Sequence, residues 1–188
     1  MKLHSSTHVV EKSGNFEENQ FSIEASAKAF MILSDGLYSN KILAVIRELS
    51  TNAYDSHVDA GVADRPFEVH LPTRLEPYFH VRDYGTSMTH DQCMTLYTTY
   101  FRSTRNDSND AVGCLGLGSK APFAYADSFT VEAFKDGEKR VYAAHRDSNG
   151  SPTFCLMDTV PTDEENGIKV SLPVDKNDCD RFAKEATK

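Results

Sequence analysis

KILAVIRELSTNAYDSHVDA, residues 41–60, carries the strongest helical pattern in the chain. Ile42, Val45, Ile46, Leu49 and Ala53 fall on one stripe about 100° wide at 3.6 residues per turn, the face expected to enter a core. Gly61 follows in the position where helices end in a left-handed residue. Glu48, Asn52 and Asp55 lie four and three residues apart, within roughly 60° of one another along an adjacent line. These three polar residues border the core stripe. Such a trio is also what the solvated edge of any amphipathic helix looks like, although Asn inside a helix carries a modest propensity cost.

Two further stretches attract attention. In VRDYGTSM (81–88), Asp83 ends an alternating strand and Gly85 follows two residues later. A carboxylate at a strand end, beside a glycine that clears space, can accept a hydrogen bond from an amine. An ordinary strand-to-helix turn, capped by Ser87 or Thr89, fits the same letters. GCLGLGSKAP (113–122) holds three glycines and a lysine. As a P-loop it has Ser119 and Lys120 in the wrong order, and as a dinucleotide fingerprint (Gly116, Gly118, Ala121) it lacks a preceding buried strand. What survives both rejections is physical. Gly113, Gly116 and Gly118 let the backbone approach a ligand closely, and a helix beginning after Ser119 would aim free amides at an anion, with Lys120 adding charge. A plain glycine-rich turn remains the alternative.

Around these stretches the chain reads as one mixed domain. Residues 26–38 form a short helix capped by Ser26 and ending near Gly36. FEVHL (67–71) and YFHVR (78–82) pair as strands, and 90–101 is helical. SFTVEAF and KRVYAAH form a hairpin across KDGE, and further strands are expected at TFCLM (153–157) and GIKVSLPV (167–174). With 188 residues, 39% hydrophobic and 26% charged, the chain is long enough for one buried core and too short for two ordinary domains. It contains no apolar run of ~18 residues and its first residues lack a secretory pattern, so a cytoplasmic location is expected. The four cysteines are scattered without a CxxC pair, which suits reduced thiols, and the seven histidines lack metal-ligand spacing. A net charge of −8 disfavours a nucleic-acid surface. It leaves room for a nucleotide held by backbone amides and a metal.

Taken in order, Glu48-Leu-Ser-Thr-Asn52-Ala-Tyr-Asp55, Asp83-Tyr-Gly85-Thr-Ser-Met88 and Gly113-Cys-Leu-Gly116-Leu-Gly118 resemble the motifs of the GHKL superfamily of ATPases. Gyrase B, MutL, the Hsp90 chaperones and the histidine kinases are members. The resemblance spans roughly residues 20–175. More narrowly, FSIEASAKAFMILSDGLYSNKI, VIRELSTNAYDSH and GLGSKAPFAYADSFT look like the N-terminal part of RIIA-type proteins of tailed phages.

The resemblance implies an α+β Bergerat fold, with helices packed on one face of a mixed sheet and ATP between the two layers. It implies Mg²⁺ on Asn52, Glu48 as the general base, and Asp83 as the acceptor of the adenine amine. Gly85, Met88, Gly113, Gly116, Leu117, Gly118 and Ser119 would line the nucleotide, with Asp55 supporting from behind. Residues 101–119 would form a lid, from which Arg102 and Arg105, with Lys120, would meet phosphate charge. Residues 1–19 would be a loose N-terminal segment and 176–188 a tail or the start of a second domain, the usual source of a catalytic lysine. The isolated domain is therefore expected to bind ATP and hydrolyse it slowly, to form a homodimer on ATP, and to serve a host or phage protein partner inside an infected bacterium. Membrane association is not readable. A non-catalytic nucleotide-sensing module and a histidine kinase domain are the competing classes. Two positions depart from the family pattern: Ser87 stands where a second glycine is expected, and Ile168 where a threonine usually follows the glycine at 167.

Overall fold

The computed structural model describes residues 28–30, 32, 36, 38–99 and 118–188. Of the helix expected at 26–38, residues 28–30 and 32 are helical, and the cap at Ser26 lies outside the described residues. So do Arg102, Arg105, Gly113, Gly116, Leu117 and nearly all of the lid expected at 101–119.

Helix α1 (Lys41–Asp59) starts where the Asn40 side chain accepts from the Leu43 amide at 3.2 Å. It ends as expected at Gly61, whose φ is 72°. The Gly61 amide donates to Val58 and the Val62 amide to His57, so two C-terminal carbonyls find partners in a Schellman arrangement. Strands β1 (Glu68–His70) and β2 (Tyr78–Arg82) follow, and then helix α2 (His90–Thr98). A capping box opens α2: the Thr89 hydroxyl accepts from the Gln92 amide while the Gln92 side chain accepts from the Thr89 amide.

A 3-10 helix (Gly118–Ala124) leads into β3 (Ser128–Lys135), β4 (Glu138–Arg146), β5 (Pro152–Pro161), β6 (Gly167–Pro173) and helix α3 (Cys179–Glu185). The hairpin across KDGE forms as expected. Asp136 and Gly137 take φ of 52° and 83°, the pair of left-handed residues that matches the twist of a two-residue turn.

The six strands form one sheet in the order β1-β2-β6-β3-β4-β5. The expectation of a mixed sheet needs correction, because all five described pairings are antiparallel. The reason is topological. β2 and β3 run in the same direction, joined through α2, but β6 is wedged between them and opposes both. No parallel neighbours result.

Period-2 alternation sends Phe79 and Val81, Val170 and Leu172, Phe129 and Val131, and Tyr142 and Ala144 to one face. There they meet the expected stripe of α1, whose five members are all buried. The opposite face is polar, with Glu132 held between Lys139 at 2.6 Å and Lys169 at 3.2 Å.

Helix α3 closes the open end of this core. Phe182 is fully buried, its ring centroid 5.3 Å from that of Phe79 and 5.2 Å from that of Tyr125. Tyr125 adds a hydrogen bond to Asp178 at 2.9 Å. Replacing Phe182 with Ala should therefore lower stability by about 3–5 kcal/mol, the usual cost of removing a buried aromatic ring. Urea unfolding of the two proteins measures this directly.

Candidate functional site

The polar edge of α1 meets the end of the glycine loop. A Cβ built on Gly118 would lie 2.5 Å from Glu48 Oε2 and 3.6 Å from Asn52 Oδ1, so the backbone at 118 passes directly over both side chains. Glu48 is half-buried, and that burial raises its pKa above the ordinary carboxylate value while neighbouring Arg47 pulls the other way. Among the described residues neither the Glu48 carboxylate nor the exposed Asn52 amide has a hydrogen-bond or ion-pair partner. A half-buried carboxylate left without a donor is a costly arrangement for structure alone. Asp55, one turn beyond Asn52, is buried.

Ser119 and Lys120 continue from Gly118 into the 3-10 helix. Ser119 is buried and its hydroxyl lacks a partner among the described residues. Lys120 behaves differently from the expected phosphate contact. Its ammonium donates to the carbonyl oxygens of Leu96 and Thr99, each at 2.6 Å. These carbonyls close α2, where helix geometry leaves them unsatisfied and the dipole favours a cation. Burial also pushes the Lys120 pKa down to about 8.

Asp83 sits at the end of β2, buried, and receives three hydrogen bonds. Its Oδ1 accepts from the Ser56 hydroxyl at 3.0 Å and from the Gly85 amide at 2.9 Å, and its Oδ2 accepts from the Ile168 amide at 3.1 Å. Burial raises its pKa, opposed by those three donors and by Arg82. Gly85 is there because nothing larger fits. A Cβ would collide with the Ser56 hydroxyl and stand 2.5 Å from the Ser56 carbonyl oxygen.

Ser87 does adopt positive φ, 58°, which costs a non-glycine residue about 1 kcal/mol. It gains in return a buried hydrogen bond from its hydroxyl to the Gly167 carbonyl at 3.0 Å. Gly167 itself has φ of 144°, and a side chain there would collide with the Asp83 carbonyl.

Met88, Met94 and Tyr97 are partly buried against the core. Tyr97 stacks on Phe154 at 4.9 Å, and its hydroxyl is pushed up by burial, by Cys93 and by the charge of Asp83.

Behind Asp83 lies a clamp that the motifs do not announce. His57 is fully buried on α1; its Nδ1 is 2.9 Å from the Arg65 carbonyl, and its Nε2 accepts from the Tyr84 amide at 2.7 Å. Those contacts require the tautomer with the proton on Nδ1. Arg82 donates to the carbonyls of Asp83 at 2.5 Å and Glu165 at 2.6 Å. The guanidinium groups of Arg65 and Arg82 lie over the Tyr84 ring at 4.2 and 4.8 Å. Arg65 forms a paired contact with Glu165 at 2.7 and 3.1 Å, and the Tyr84 hydroxyl donates to Glu68. Ser56 and His57 follow Asp55 directly in sequence, yet Ser56 meets Asp83 and His57 meets Tyr84, each 27 residues away. No local pattern marks them.

Among the described residues no three His, Cys, Asp or Glu side chains converge as a metal site, and no helix is long and apolar enough to cross a membrane.

No protein-family model matches the chain. It is similar to the chaperone protein HtpG of Rhodococcus jostii, with 26% identity over 195 aligned positions, covering 89% of this chain and 29% of that protein. HtpG of Mycolicibacterium vanbaalenii is 24% identical over 188 positions, covering 85% and 29%, and HtpG of Anaplasma marginale is 26% identical over 190, covering 89% and 29%. The chain thus spans under a third of the length of these curated relatives. The six-stranded antiparallel sheet with its covering helices is compatible with a fold of the Hsp90 type. This distant similarity to HtpG supports the resemblance to the GHKL superfamily.

Proposed function

We propose that this chain is an ATP-binding domain that hydrolyses ATP slowly with the help of Mg²⁺. The observation that carries the reading is the meeting of Glu48, Asn52 and Gly118. Among the described residues, a carboxylate and an amide without partners stand where a glycine backbone comes closest. The Ser119 hydroxyl, next in sequence to Gly118 and without a partner among the described residues, suits an anionic ligand.

Asn52 would hold Mg²⁺ through its neutral amide oxygen, a hard donor that adds no charge beside the phosphates. When bound, the ion neutralises charge on the phosphates. Glu48, one helical turn from Asn52, orients a water and accepts its proton at the carboxylate. Asp83 receives the exocyclic amine of the base. Met88 contributes apolar contact, and Gly85 and Gly167 let the elements around Asp83 pack closely. Arg102 and Arg105 meet the phosphates, while Lys120 fastens the end of α2 instead.

The similarity to HtpG extends this reading toward an ATP-binding unit of a chaperone-like machine, and ATP-dependent homodimerisation fits that setting. The stretches that resemble RIIA-type proteins support a role in the cytoplasm of an infected bacterium, with a host or phage protein as partner. The engagement of Lys120 by two carbonyls favours a second reading, in which the domain binds ATP as a sensor without turning it over. One phosphate cation fewer is what such a module would need.

Hydrolysis separates the two readings. Purified protein with Mg-ATP should release ADP, and Glu48→Ala should lower that rate at least about a hundredfold while ATP still binds. No ADP from the unaltered protein, with ATP bound in equilibrium dialysis, selects the sensor.

Asn52→Ala should reduce ATP affinity in Mg²⁺ to the level seen with a chelator present, measured by calorimetric titration.

The pH profile follows from Glu48. Its working form is the ionised one, and burial raises its pKa. Activity should therefore be full at neutral pH and fall as pH drops through that raised value. In kcat/KM, which reports the protein before Mg-ATP binds, the midpoint of the acid limb should lie above the ordinary glutamate value of about 4.3. A midpoint at or below the ordinary value would remove Glu48 from the role of base.

A further inference from the structure

We propose that Ser56 sets the base selectivity of the site by occupying one oxygen of Asp83, an inference that rests on Asp83 being the base acceptor. A carboxylate offers about four lone-pair positions, two on each oxygen. The Ser56 hydroxyl at 3.0 Å and the Gly85 amide at 2.9 Å use both positions of Oδ1. The Ile168 amide at 3.1 Å uses one on Oδ2. Among the described residues one acceptor position remains, on Oδ2.

That count decides which bases fit. The Watson–Crick edge of guanine carries two adjacent donors, N1–H and N2–H, which a carboxylate recognises through both oxygens at once. With Oδ1 filled, this bidentate pairing has no second acceptor, and the neighbouring O6 of guanine would face a carboxylate. Adenine presents a single amine beside an acceptor nitrogen, and one free position on Oδ2 satisfies it. Ile168 contributes only its amide, since its side chain has no hydroxyl to read a second atom. Discrimination between the purines therefore falls on Asp83, and the state of Asp83 Oδ1 falls on Ser56.

Ser56 is held for this task. It lies on α1 one turn after Asn52, and Gly85 packs so closely on it that no side chain at 85 would fit. The Gly85 amide is a fixed backbone donor, whereas the Ser56 hydroxyl can be removed by substitution with little change in volume. Ser56 is accordingly a positioning residue, acting on the base through Asp83.

The test is calorimetric titration of the chain with Mg-ATP, Mg-GTP and Mg-ITP, for the unaltered protein, Ser56→Ala and Ser56→Cys. The cysteine variant retains side-chain bulk and provides only a weak donor, so it supports the reading if the alanine variant folds poorly. The unaltered protein should prefer ATP to both other nucleotides. In the variants the ratio of ATP to GTP affinity should narrow by about tenfold, the effect of one hydrogen bond to a charged group. ITP has N1–H but no 2-amine, so it should gain less than GTP. A loss of packing alone would weaken all three nucleotides together and leave the ratios unchanged, which overturns the role of Ser56 while the ATP site stands. Failure of the unaltered protein to bind any of the three would instead overturn the nucleotide site itself, and this inference with it.

Discussion

The Asp83 carboxylate joins three parts of the chain that are distant in sequence. Ser56 reaches it from α1, Gly85 from the turn after β2, and Ile168 from the first residues of β6. A buried carboxylate is tolerated only when its oxygens are satisfied, and these three donors supply that condition. They also set geometry. Because one donor comes from the helix layer and two from the sheet layer, the bonds fix the spacing between the layers at the point where a ligand would enter. The two glycines at 85 and 167 belong to the same constraint, since a side chain at either would collide with the elements that Asp83 draws together.

The clamp behind Asp83 makes this junction stiff. Arg82 is buried and donates to two carbonyls rather than to a carboxylate, so its charge is met by backbone dipoles and by the faces of Tyr84 and Phe134. His57 holds the Tyr84 amide from the helix side. The result is a candidate site with one densely hydrogen-bonded half, the half proposed to read a base. Its other half, Glu48 and Asn52 beneath Gly118, has side chains with no protein partner among the described residues. That contrast is chemically sensible. Recognition of a base benefits from preorganised donors and acceptors, whereas a group that must orient water has to be left unfilled.

Much of this was legible in the chain. The apolar stripe of α1, its end at Gly61, the alternation of the strands and the KDGE hairpin all depend on contacts within a few residues, where 3.6-residue and 2-residue periods and turn chemistry act directly. The motif residues Glu48, Asn52, Asp83 and Gly85 were legible too, because helical spacing and the strand end place them without reference to the rest of the fold. Ser87 shows the limit. Its positive φ could be anticipated as a cost, but its compensating bond to Gly167 spans 80 residues.

What the sequence by itself determined is therefore most of the elements and the residues from which the candidate site is drawn. What only the tertiary structure decided is pairing. The sheet is antiparallel throughout its described pairings because β6 enters between β2 and β3, a choice that no strand's own pattern encodes. Lys120 meets the carbonyls that end α2 because packing brings its ammonium to groups that helix geometry leaves unsatisfied, which attract it strongly in a low-dielectric setting. Ser56 became a partner of Asp83 for the same reason. Periodicity fixes which way a side chain faces, but the atom it meets depends on how separate elements stack, and that is set by packing across the whole core.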